Sequence, residues 1–363
     1  MFGKIKSMEI GIVGLPNVGK STLFNALTSA NAQASNYPFT TIEPNVGIVP
    51  VPDLRLQRLT EIFKPKKTTP ASVRFVDIAG LVKGASSGEG LGNKFLSHIR
   101  EVDAILMVVR LFKDSNVTHV MGGVDPERDI SVIETELILA DLASLEKQKE
   151  KLFGKAKSGD KESREALESL EAVKAVLDSG RPARSCEINP KVLASFSLLT
   201  SKPVLFVGNT DEVPDPVLVA KLDELAKKRG ARALTLCSKI ESEISQLNPE
   251  ERETFLSEMG IKTTGLERVI VAAYEILGLC SYFTAGEDEV RAWTIPVGAR
   301  APQAAGVIHS DFEKGFIRAE VYSFKDIAAH LKESVLREKG LIRSEGKDYV
   351  VKDGDVCFFK FSN

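Results

Sequence analysis

The chain has 363 residues, of which 43% are hydrophobic and 27% charged, as in an ordinary water-soluble protein of two or three domains. Its 48 basic and 50 acidic residues almost cancel, which excludes a chain-wide cationic field, so any contact with nucleic acid must come from local patches. Four scattered cysteines without C-x-x-C spacing favour free thiols in a reducing cytosol. The sequence has no secretory signal and no apolar run of membrane-spanning length, so we expect a cytoplasmic protein with no membrane partner.

Short apolar runs alternate with segments of helical spacing from Met8 to about Leu111. The predicted strands cover 10–13, 46–49, 73–76 and 104–109, with helices near 20–29 and from Asp53 between them. Such alternation predicts a mostly parallel sheet covered by helices, an α/β fold. Ligands of these sheets bind beyond the carboxyl ends of the strands.

The stretch Gly14–Thr22 lies between the first predicted strand and the first predicted helix and matches the pattern G-x-x-x-x-G-K-[ST]. In this pattern the glycines let the backbone curl so that successive N–H groups face phosphate oxygens, and the helix dipole adds to the same spot. Lys20 is then expected on the β- and γ-phosphates and the Ser21 hydroxyl on Mg²⁺. The alternative is a glycine turn that merely joins a strand to a helix, which the observed order of strand, loop and helix disfavours.

A second motif, Asp77-Ile78-Ala79-Gly80, ends the predicted strand 73–76. Asp77 can hold the magnesium through a water molecule, and the N–H of Gly80 can approach the γ-phosphate. Alone, this four-residue motif is weak evidence for a nucleotide site, because many turns contain it. At the end of a strand that follows a P-loop in the chain, it is strong evidence for such a site.

Two segments have the composition of nucleotide-sensing switches. The loop 36–44 contains Thr40 and Thr41, and a threonine hydroxyl here can reach Mg²⁺ only while a γ-phosphate is present. The segment Gly84–Gly92 has four glycines in nine residues, which predicts a mobile switch that a ligand orders.

Leu81 follows Gly80, where many GTPases place a glutamine that orients the attacking water. A leucine cannot orient water, so hydrolysis needs a polar group from elsewhere in the chain or from a partner. His119, beyond the strand 104–109, is the most attractive of the four histidines. On the residues alone, a surface or core histidine remains the alternative.

The pattern changes between Ile130 and Leu177, where apolar residues repeat at spacings of three, four and seven. Two long helices with a turn at Ser158–Asp160 are predicted, and their narrow apolar stripes suit an antiparallel coiled coil. Lysines are dense on the outer faces between 147 and 161. These lysines are either an ordinary solvent-exposed face or part of a projecting helical arm that contacts RNA. The sheet then resumes with strands near 203–208 and 233–238.

The turn that reads the base in GTPases is Asn-Lys-x-Asp, whereas this chain has Asn-Thr-Asp-Glu at 209–212. Thr210 cannot cover the base with a lysine stem, and Glu212 carries its carboxylate one methylene too far out. A pocket without the matched acceptor discriminates poorly for guanine. Asn209 has both a donor and an acceptor and can address N6 and N7 of adenine, so we predict a preference for ATP, with use of GTP left open.

These motifs together resemble the Obg-like ATPases, the YchF group of the translation-factor GTPase class. The resemblance rests on long stretches spread over nearly the whole chain, namely the P-loop, N-Y-P-F-T-T-I-E-P-N at 36–45, D-I-A-G-L-V-K-G-A at 77–85, the altered base motif, F-T-A-G at 283–286, E-V-R-A-W-T-I at 289–295, A-P-Q-A-A-G-V-I-H at 301–309 and D-F-E-K-G-F-I at 311–317. The stretch 323–342 departs from the family, because it lacks the glycine-rich sequence expected there, so the resemblance does not carry over a partner contact made by that part.

The resemblance implies an α/β P-loop NTPase fold, a Ras-like G domain, over 8–280. A helical coiled-coil insertion over 130–180 interrupts it, and a TGS domain of β-grasp type follows over 281–361. It also implies ATP and Mg²⁺ as ligands, and the ribosome, as large subunit or whole particle with contacts to rRNA, as partner. We expect a monomer.

The resemblance also assigns residue roles by position. Lys20 and His119 are the expected catalytic residues, Ser21 and Thr41 hold Mg²⁺, and K⁺ at Asn17 is a weaker implication. The expected nucleotide-binding residues are Asn17, Val18, Gly19, Lys20, Ser21, Thr22, Asp77, Gly80, Asn209 and Thr210.

The C-terminal region has a pattern of its own, with short strands at 290–295, 316–322 and 356–361 and a helix predicted over 324–337. This fits a small mixed α+β fold. Arg291, Arg300, Lys314 and Arg318 either contact phosphates or are scattered surface charge.

Two hypotheses of function follow. The first is an ATP-hydrolysing switch that associates with the ribosome, with the two switch segments sensing the nucleotide. The alternative is a ribosome- or RNA-binding module that ATP merely stabilises, with incidental turnover. A plain GTPase is a third possibility.

Overall fold

The computed structural model describes residues 8–32, 45–78, 91–114, 117 and 122–362. Several predicted features lie outside these residues: Thr41 with its loop, Gly80, Leu81, the glycines at 84–90 and His119.

The secondary structure alternates strands and helices in the first two thirds of the described chain and is mixed in the last third. In chain order the strands are β1 (Glu9–Val13), β2 (Val46–Pro50), β3 (Lys67–Thr69), β4 (Ser72–Asp77), β5 (Ala104–Arg110), β6 (Val204–Asn209), β7 (Arg232–Leu236), β8 (Leu279–Ala285), β9 (Glu289–Pro296), β10 (Phe316–Ser323), β11 (Arg343–Glu345) and β12 (Asp355–Phe361). The helices are α1 (Lys20–Ala32), α2 (Leu54–Phe63), α3 (Leu91–Glu101), α4 (Pro126–Lys157), α5 (Lys161–Asp178), α6 (Pro190–Ser195), α7 (Pro216–Lys228), α8 (Ser238–Gln246), α9 (Pro249–Glu258), α10 (Gly265–Ile276), α11 (Ala301–Ile308), α12 (Ser310–Lys314), α13 (Phe324–His330) and α14 (Glu333–Glu338).

The chain divides into two compact units. The first unit comprises Glu9–Gly47 and Arg74–Val269, and the second comprises Ile48–Val73 and Ile270–Asn363 together with the residues up to Met8. The second unit is therefore assembled from segments far apart in the sequence.

A six-stranded sheet in the order β2-β4-β1-β5-β6-β7 contains the predicted strands of the first unit. The pairs β1–β4, β1–β5, β5–β6 and β6–β7 are all parallel. All seven residues of the central strand β5 are buried, as expected of a strand covered on both faces. The prediction of a mostly parallel sheet with alternating helices is confirmed.

The helices that follow β5 and β6 begin at clear signals in the sequence. The carboxylate of Asp125 accepts from the backbone N–H groups of Glu127 and Arg128 at the start of α4, and Asp215 caps α7 in the same way. A proline opens each of the two helices, where its missing N–H costs no hydrogen bond.

Helices α4 and α5 form the predicted hairpin, which turns at Ser158–Asp160. Ion pairs join Lys149 to Glu171 and Lys174 to Glu146, so the two helices run antiparallel. The predicted apolar positions do pack together in one cluster, whose buried members include Ile138, Leu145, Leu170, Val173 and Leu177.

The second unit contains a mixed six-stranded sheet in the order β11-β10-β12-β8-β9-β3. β10 pairs antiparallel with β12 and β8 antiparallel with β9, whereas β12–β8 and β3–β9 are parallel.

The prediction of one helix over 324–337 is wrong, because Leu331 adopts a left-handed conformation (φ 65°) and separates α13 from α14. Its N–H donates to the carbonyl of Ile327 and closes α13.

The four cysteines are free thiols, as the sequence predicts. Cys280 and Cys357 are buried in the second unit. Burial raises the pKa of the Cys280 thiol to about 11, so this thiol is protonated at neutral pH.

In the part of the chain that the structure describes, no helix combines the length and the apolar character needed to cross a bilayer.

Candidate nucleotide-binding site

The loop between β1 and α1 has the curled backbone that the P-loop pattern predicts. Asn17 (φ 62°) and Gly19 (φ 92°) both adopt left-handed conformations. A Cβ atom at Gly19 would lie 2.2 Å from Nδ2 of Asn209, so only glycine fits there. The loop therefore turns its backbone toward the start of α1 while it packs closely on the end of β6.

Lys20, the first residue of α1, forms an ion pair with Asp77 at the end of β4. Its Nζ lies 2.7 Å from Oδ1 of Asp77, and both side chains are largely shielded, with 12% and 19% exposure. The pair joins residues 57 positions apart in the sequence. The structure thus brings together the two motifs that the sequence assigns to phosphates and metal.

The oxygen donors near the pair fit Mg²⁺. Ser21 is the second residue of α1 and is exposed, and the Asp77 carboxylate lies beside Lys20. Magnesium prefers such hard oxygen donors and takes few of them from the protein, because phosphates and water complete its shell. Among the described residues, no group of three or more His, Cys, Asp or Glu side chains could hold a metal ion.

An open cavity of about 900 Å³ extends from the P-loop along the carboxyl ends of β5, β6 and β7. Four segments line it, namely Asn17, Gly19 and Thr22 of the P-loop region, Phe112, Lys113, Asp114 and Val117 after β5, Asn209–Val213 after β6, and Cys237, Ser238, Lys239, Ser242 and Glu243 at α8. A cavity at this edge of a parallel sheet, next to a phosphate loop, has the size and position of a nucleotide site.

Asn209 ties three parts of this site together. Its Nδ2 donates to the carbonyl of Val18 (3.0 Å), and its Oδ1 accepts from the N–H of Ser238 (2.9 Å). Asn209 is 6% exposed, so both hydrogen bonds are shielded from water. Its observed contacts therefore hold the P-loop against β6 and α8, and its predicted contact with adenine stays a prediction.

The rest of the altered base motif is held by backbone bonds and ion pairs. The N–H of Thr210 donates to the carbonyl of Leu236 (2.9 Å), and its hydroxyl donates to the same oxygen (3.3 Å). Glu212 lies 3.2 Å from Nζ of Lys239. This hydrogen bond raises the pKa of Lys239. Both side chains of the pair are exposed, and both residues line the cavity.

Arg110, at the end of β5, shapes the loop that leads toward position 119. It is 3% exposed, and its guanidinium donates to the carbonyls of Phe112, Asp114 and Val117. The guanidinium also lies 4.2 Å from the centre of the Phe112 ring. These bonds fix the loop on the cavity wall, whereas His119 itself lies outside the described residues.

Sequence reasoning missed the cavity residues after β5 and in α8. Their signal was positional, because 111–114 and 237–239 directly follow the strands β5 and β7, and ligands bind where parallel strands end. The residue types alone, such as Phe112 and Ser238, carry no motif that would single them out.

A P-loop, an acidic strand end joined to its lysine and a cavity beside the altered base turn define a P-loop nucleotide-binding protein of the GTPase class. Residues 9–135 match the family model described as "50S ribosome-binding GTPase", and residues 279–362 match the model YchF-GTPase_C, whose function is described as unknown. The chain belongs to the YchF family.

Relatives of this family are similar over nearly the whole chain. The "Ribosome-binding ATPase YchF" of Bacillus subtilis (strain 168) is 55% identical, with 98% of this chain and 100% of the relative covered. The protein of the same name from Escherichia coli O157:H7 is 52% identical, with coverage of 98% and 99%. The solved structure of the Schizosaccharomyces pombe YchF GTPase is 39% identical, covers 98% of both chains and superposes with a TM-score of 0.87.

Proposed function

We propose that this protein is a ribosome-associated ATPase, which binds ATP with Mg²⁺ and hydrolyses the β–γ phosphoanhydride bond. The observation that carries the proposal is the Lys20–Asp77 pair of 2.7 Å at the phosphate end of the cavity. The names of the relatives at 55% and 52% identity, ribosome-binding ATPases, support the same activity.

Lys20 would exchange its carboxylate partner for phosphate oxygens when the nucleotide binds. The backbone N–H groups of the P-loop would cradle the phosphates. The Ser21 hydroxyl and, in our proposal, Thr41 would hold Mg²⁺, and Asp77, released from Lys20, would help to hold it through water. The ion would supply neutralisation of the phosphate charge. The assignments of Gly80 to the γ-phosphate and of K⁺ to Asn17 remain part of the proposal.

Hydrolysis needs a group that positions the attacking water, and we assign it to His119. The water oxygen forms a bond to the γ-phosphorus while the bond to the bridging oxygen breaks, which yields ADP and inorganic phosphate. The assignment comes from the resemblance, and the described part of the loop agrees with it only in that Arg110 holds Phe112, Asp114 and Val117 through three carbonyl contacts. An imidazole can orient water, so the assignment does not need a glutamine at position 81.

The preference for ATP over GTP follows from the altered turn at 209–212, which offers no matched acceptor for guanine. Thr210 has no stem to cover a guanine, and the Glu212 carboxylate is engaged by Lys239 at 3.2 Å. Guanine N1–H and N2–H₂ would then lose their acceptor on transfer from water, a cost that adenine does not incur.

The proposed organisation is a nucleotide domain over 8–280, a coiled-coil insertion over 130–180 and a TGS domain of β-grasp type over 281–361. Within 8–280, the residues 48–73 and those from Ile270 onward lie in the second compact unit, so the nucleotide domain proper is the unit made of Glu9–Gly47 and Arg74–Val269. The match of 279–362 to a YchF C-terminal model supports the last boundary. We propose that the helical and C-terminal parts contact the large subunit or the whole ribosome, including rRNA, and that the protein acts as a cytoplasmic monomer.

Calorimetric titration with ATP and GTP in the presence of Mg²⁺ tests nucleotide binding. We expect tighter binding of ATP, and loss of about 10- to 100-fold in affinity for Lys20→Met, because one charge-assisted bond is worth about 1.5–3 kcal/mol. Lys228→Met, at the exposed end of α7, is the control and should bind like the parent. A clear preference for GTP, or unchanged binding by Lys20→Met, would refute the proposed site.

Single-turnover hydrolysis by His119→Ala separates the switch from its alternative, a binding module that ATP merely stabilises. We expect hydrolysis to slow about 100-fold or more while ATP affinity stays similar, since a positioned group contributes about 10²–10⁴-fold. Equal hydrolysis rates for the parent and the variant would show that His119 is not the catalyst.

Sedimentation with ribosomes in the presence of ATP and of ADP tests the proposed partner. Equal binding to ribosomes with the two nucleotides would favour the binding module over the switch.

A further inference from the structure

Phe358 exposes an aromatic ring on a central strand of the second unit. Its strand, β12, lies between β10 and β8 in the mixed sheet, yet Phe358 is 64% exposed. Its chain neighbours Cys357 and Phe359 point to the opposite face, because side chains alternate along a strand, and both are buried. Val356 shares the face of Phe358 and is also buried. The cover of this face therefore ends between Val356 and Phe358.

The surroundings of the ring decide what its exposure means, because single exposed apolar side chains are common on protein surfaces. Glu320 of β10 lies directly opposite Phe358 in the strand register. Its carboxylate lies 2.8 Å from Nζ of Lys360, 3.5 Å from a guanidinium nitrogen of Arg337 and 3.8 Å from one of Arg318. Three cations thus share one carboxylate, and the cluster keeps an excess of positive charge.

The ring and the cations lie on one face of the sheet. Lys360 follows Phe358 by two residues and is therefore on the same face, roughly 7 Å further along the strand. Arg318 is the partner of Lys360 on β10. The side chains of all three cations remain substantially exposed. Phe358, Arg318, Arg337 and Lys360 together are called the Phe358 surface below.

An exposed ring beside an excess of cations has the chemistry that binds single-stranded nucleic acid. A base stacks on the aromatic face, and the phosphates on either side of that base are attracted to the cations. The bases of a duplex are stacked within the helix, so they are not free to cover a protein ring. Unpaired loops and bulges of a folded RNA present such free bases.

We propose that the Phe358 surface binds a single-stranded segment of RNA, with one base stacked on the ring and the adjacent phosphates on the three cations. The inference names a surface for the proposed contact with rRNA and in this respect rests on the proposed function. Arg337 lies in 323–342, the stretch that departs from the family. The surface is therefore inferred from this chain and not from the resemblance.

Fluorescence anisotropy of the whole protein with a labelled oligouridylate of about 12 nucleotides tests the contact. Uridylate contains no purine that would enter the nucleotide site. We expect Phe358→Ser to weaken binding about 5- to 100-fold, the range for the loss of one stacked base, and Phe358→Tyr, which keeps a ring, to bind like the parent. No binding by the parent, equal binding by Phe358→Ser, or an equal loss in Phe358→Tyr would overturn the inference.

Val297→Ser is the matched control. Val297 is also an exposed apolar residue of the second unit, but it has no ring on which a base could stack. We expect this variant to bind the oligouridylate like the parent, and a loss equal to that of Phe358→Ser would contradict a specific role for the ring.

The salt dependence of binding separates stacking from charge. Arg318→Gln should make the slope of log affinity against log salt concentration shallower by about 0.7, the value for one phosphate contact on a single strand. Phe358→Ser should weaken binding without changing this slope. A shallower slope in Phe358→Ser would show that the variant acts through the cations, which would overturn the stacking contact.

Thermal melting checks that the ring serves binding and not the fold. Because the ring is exposed, Phe358→Ser should melt like the parent. A clear decrease in melting temperature would mean that the ring stabilises the fold and would overturn the inference.

Sedimentation with ribosomes distinguishes a failure of this inference from a failure of the proposed function. If the parent does not sediment with ribosomes, the proposed partner fails, while the oligouridylate titration still decides this inference. If the parent sediments and Phe358→Ser binds the oligouridylate equally, only this inference fails. A variant that loses the ribosome but keeps the oligouridylate would assign the surface to a ribosomal protein and overturn the contact with RNA.

Discussion

Asn209 shows how one side chain can serve the geometry of a site. It bonds to Val18 on one side and to Ser238 on the other, while Gly19 packs against its amide. The amide of Asn209 occupies the space that a Cβ atom at position 19 would need. A change at Asn209 should therefore affect the P-loop as well as the end of β6.

Asn209→Ala should lower the free energy of unfolding by about 1–3 kcal/mol, because it leaves buried backbone groups of Val18 and Ser238 without partners. Urea denaturation measures the change. Thr210→Val is the control, since it removes only one long hydrogen bond to Leu236 (3.3 Å) and should cost less. Equal losses for the two variants would show that the Asn209 bonds add little.

The helical hairpin is anchored at its root by a buried cluster of charges. Glu134 in α4 accepts from Arg184 and from Nε of Arg229 (2.8 Å), and Arg229 directly follows α7. Glu134 is 5% exposed, so this carboxylate is shielded from water. The hairpin is thus fixed to the segment that follows the base turn rather than held by a flexible joint.

Glu134→Ala should cost about 3–5 kcal/mol of stability, because it leaves the Arg184 guanidinium, which is buried, without its counter-charge. Denaturant melts of the whole chain measure this loss. Lys149→Ala in the same hairpin removes an exposed ion pair with Glu171 (2.6 Å) and should have a far smaller effect. A similar loss in both variants would contradict the anchoring role.

Helix α10 begins against a buried carboxylate in α8. Glu241 accepts from the N–H groups of Gly265 (2.7 Å) and Leu266 (3.2 Å), and it is 7% exposed. Burial raises the pKa of Glu241 above its usual value of 4.5, although these two N–H groups act in the opposite direction. The folded protein therefore binds a proton here more readily than the unfolded chain.

Stability linked to Glu241 should be fully present below pH of about 4.5 and decrease as the pH rises through the raised pKa. We expect the difference in unfolding free energy, parent minus Glu241→Gln, to fall between pH 4.5 and neutrality. Denaturant melts of both proteins at several pH values measure this difference, in which other titrating groups cancel. A constant difference would contradict the expected linkage.

At the scale of the whole molecule, the second unit depends on a segment from the first third of the chain. Strand β3 pairs with β9 through Lys67–Glu289, Thr68–Val290 and Thr69–Arg291. Arg55 at the start of α2 lies 2.6 Å from Asp353 and 5.3 Å from the centre of the Phe283 ring. The C-terminal residues thus complete their sheet and part of their core with 48–73.

A fragment of residues 270–363 should unfold at lower denaturant than the same fragment mixed with a peptide of residues 48–73, because alone it lacks α2 and the edge strand β3. Circular dichroism during denaturation measures the change. The peptide with Arg55→Ala is the control and should stabilise the fragment less. A fragment equally stable with and without the peptide would show that 279–362 is self-sufficient.

The elements that form the candidate site could be located from the sequence because their signals are local. The P-loop, Asp77 and the altered turn at 209–212 are short patterns whose meaning depends on a strand before and a helix after them. The hairpin was equally accessible, since the spacing of Ile138, Leu145 and Leu170 fixes which faces pack. The places of Phe112 and Ser238 on the cavity wall could not be found in this way, because only their positions just after a strand distinguish them.

By itself, the sequence determined the parallel sheet, the phosphate loop, the helical hairpin and the family. These depend on periodicity and on residues close together in the chain. Only the tertiary structure decided that Lys20 forms an ion pair with Asp77 and that Asn209 is hydrogen-bonded to Val18 and Ser238. It also decided that 48–73 belongs with the C-terminal strands. The physical reason is the same in each case, because such contacts join residues that chain folding, and not chain order, brings within hydrogen-bonding distance.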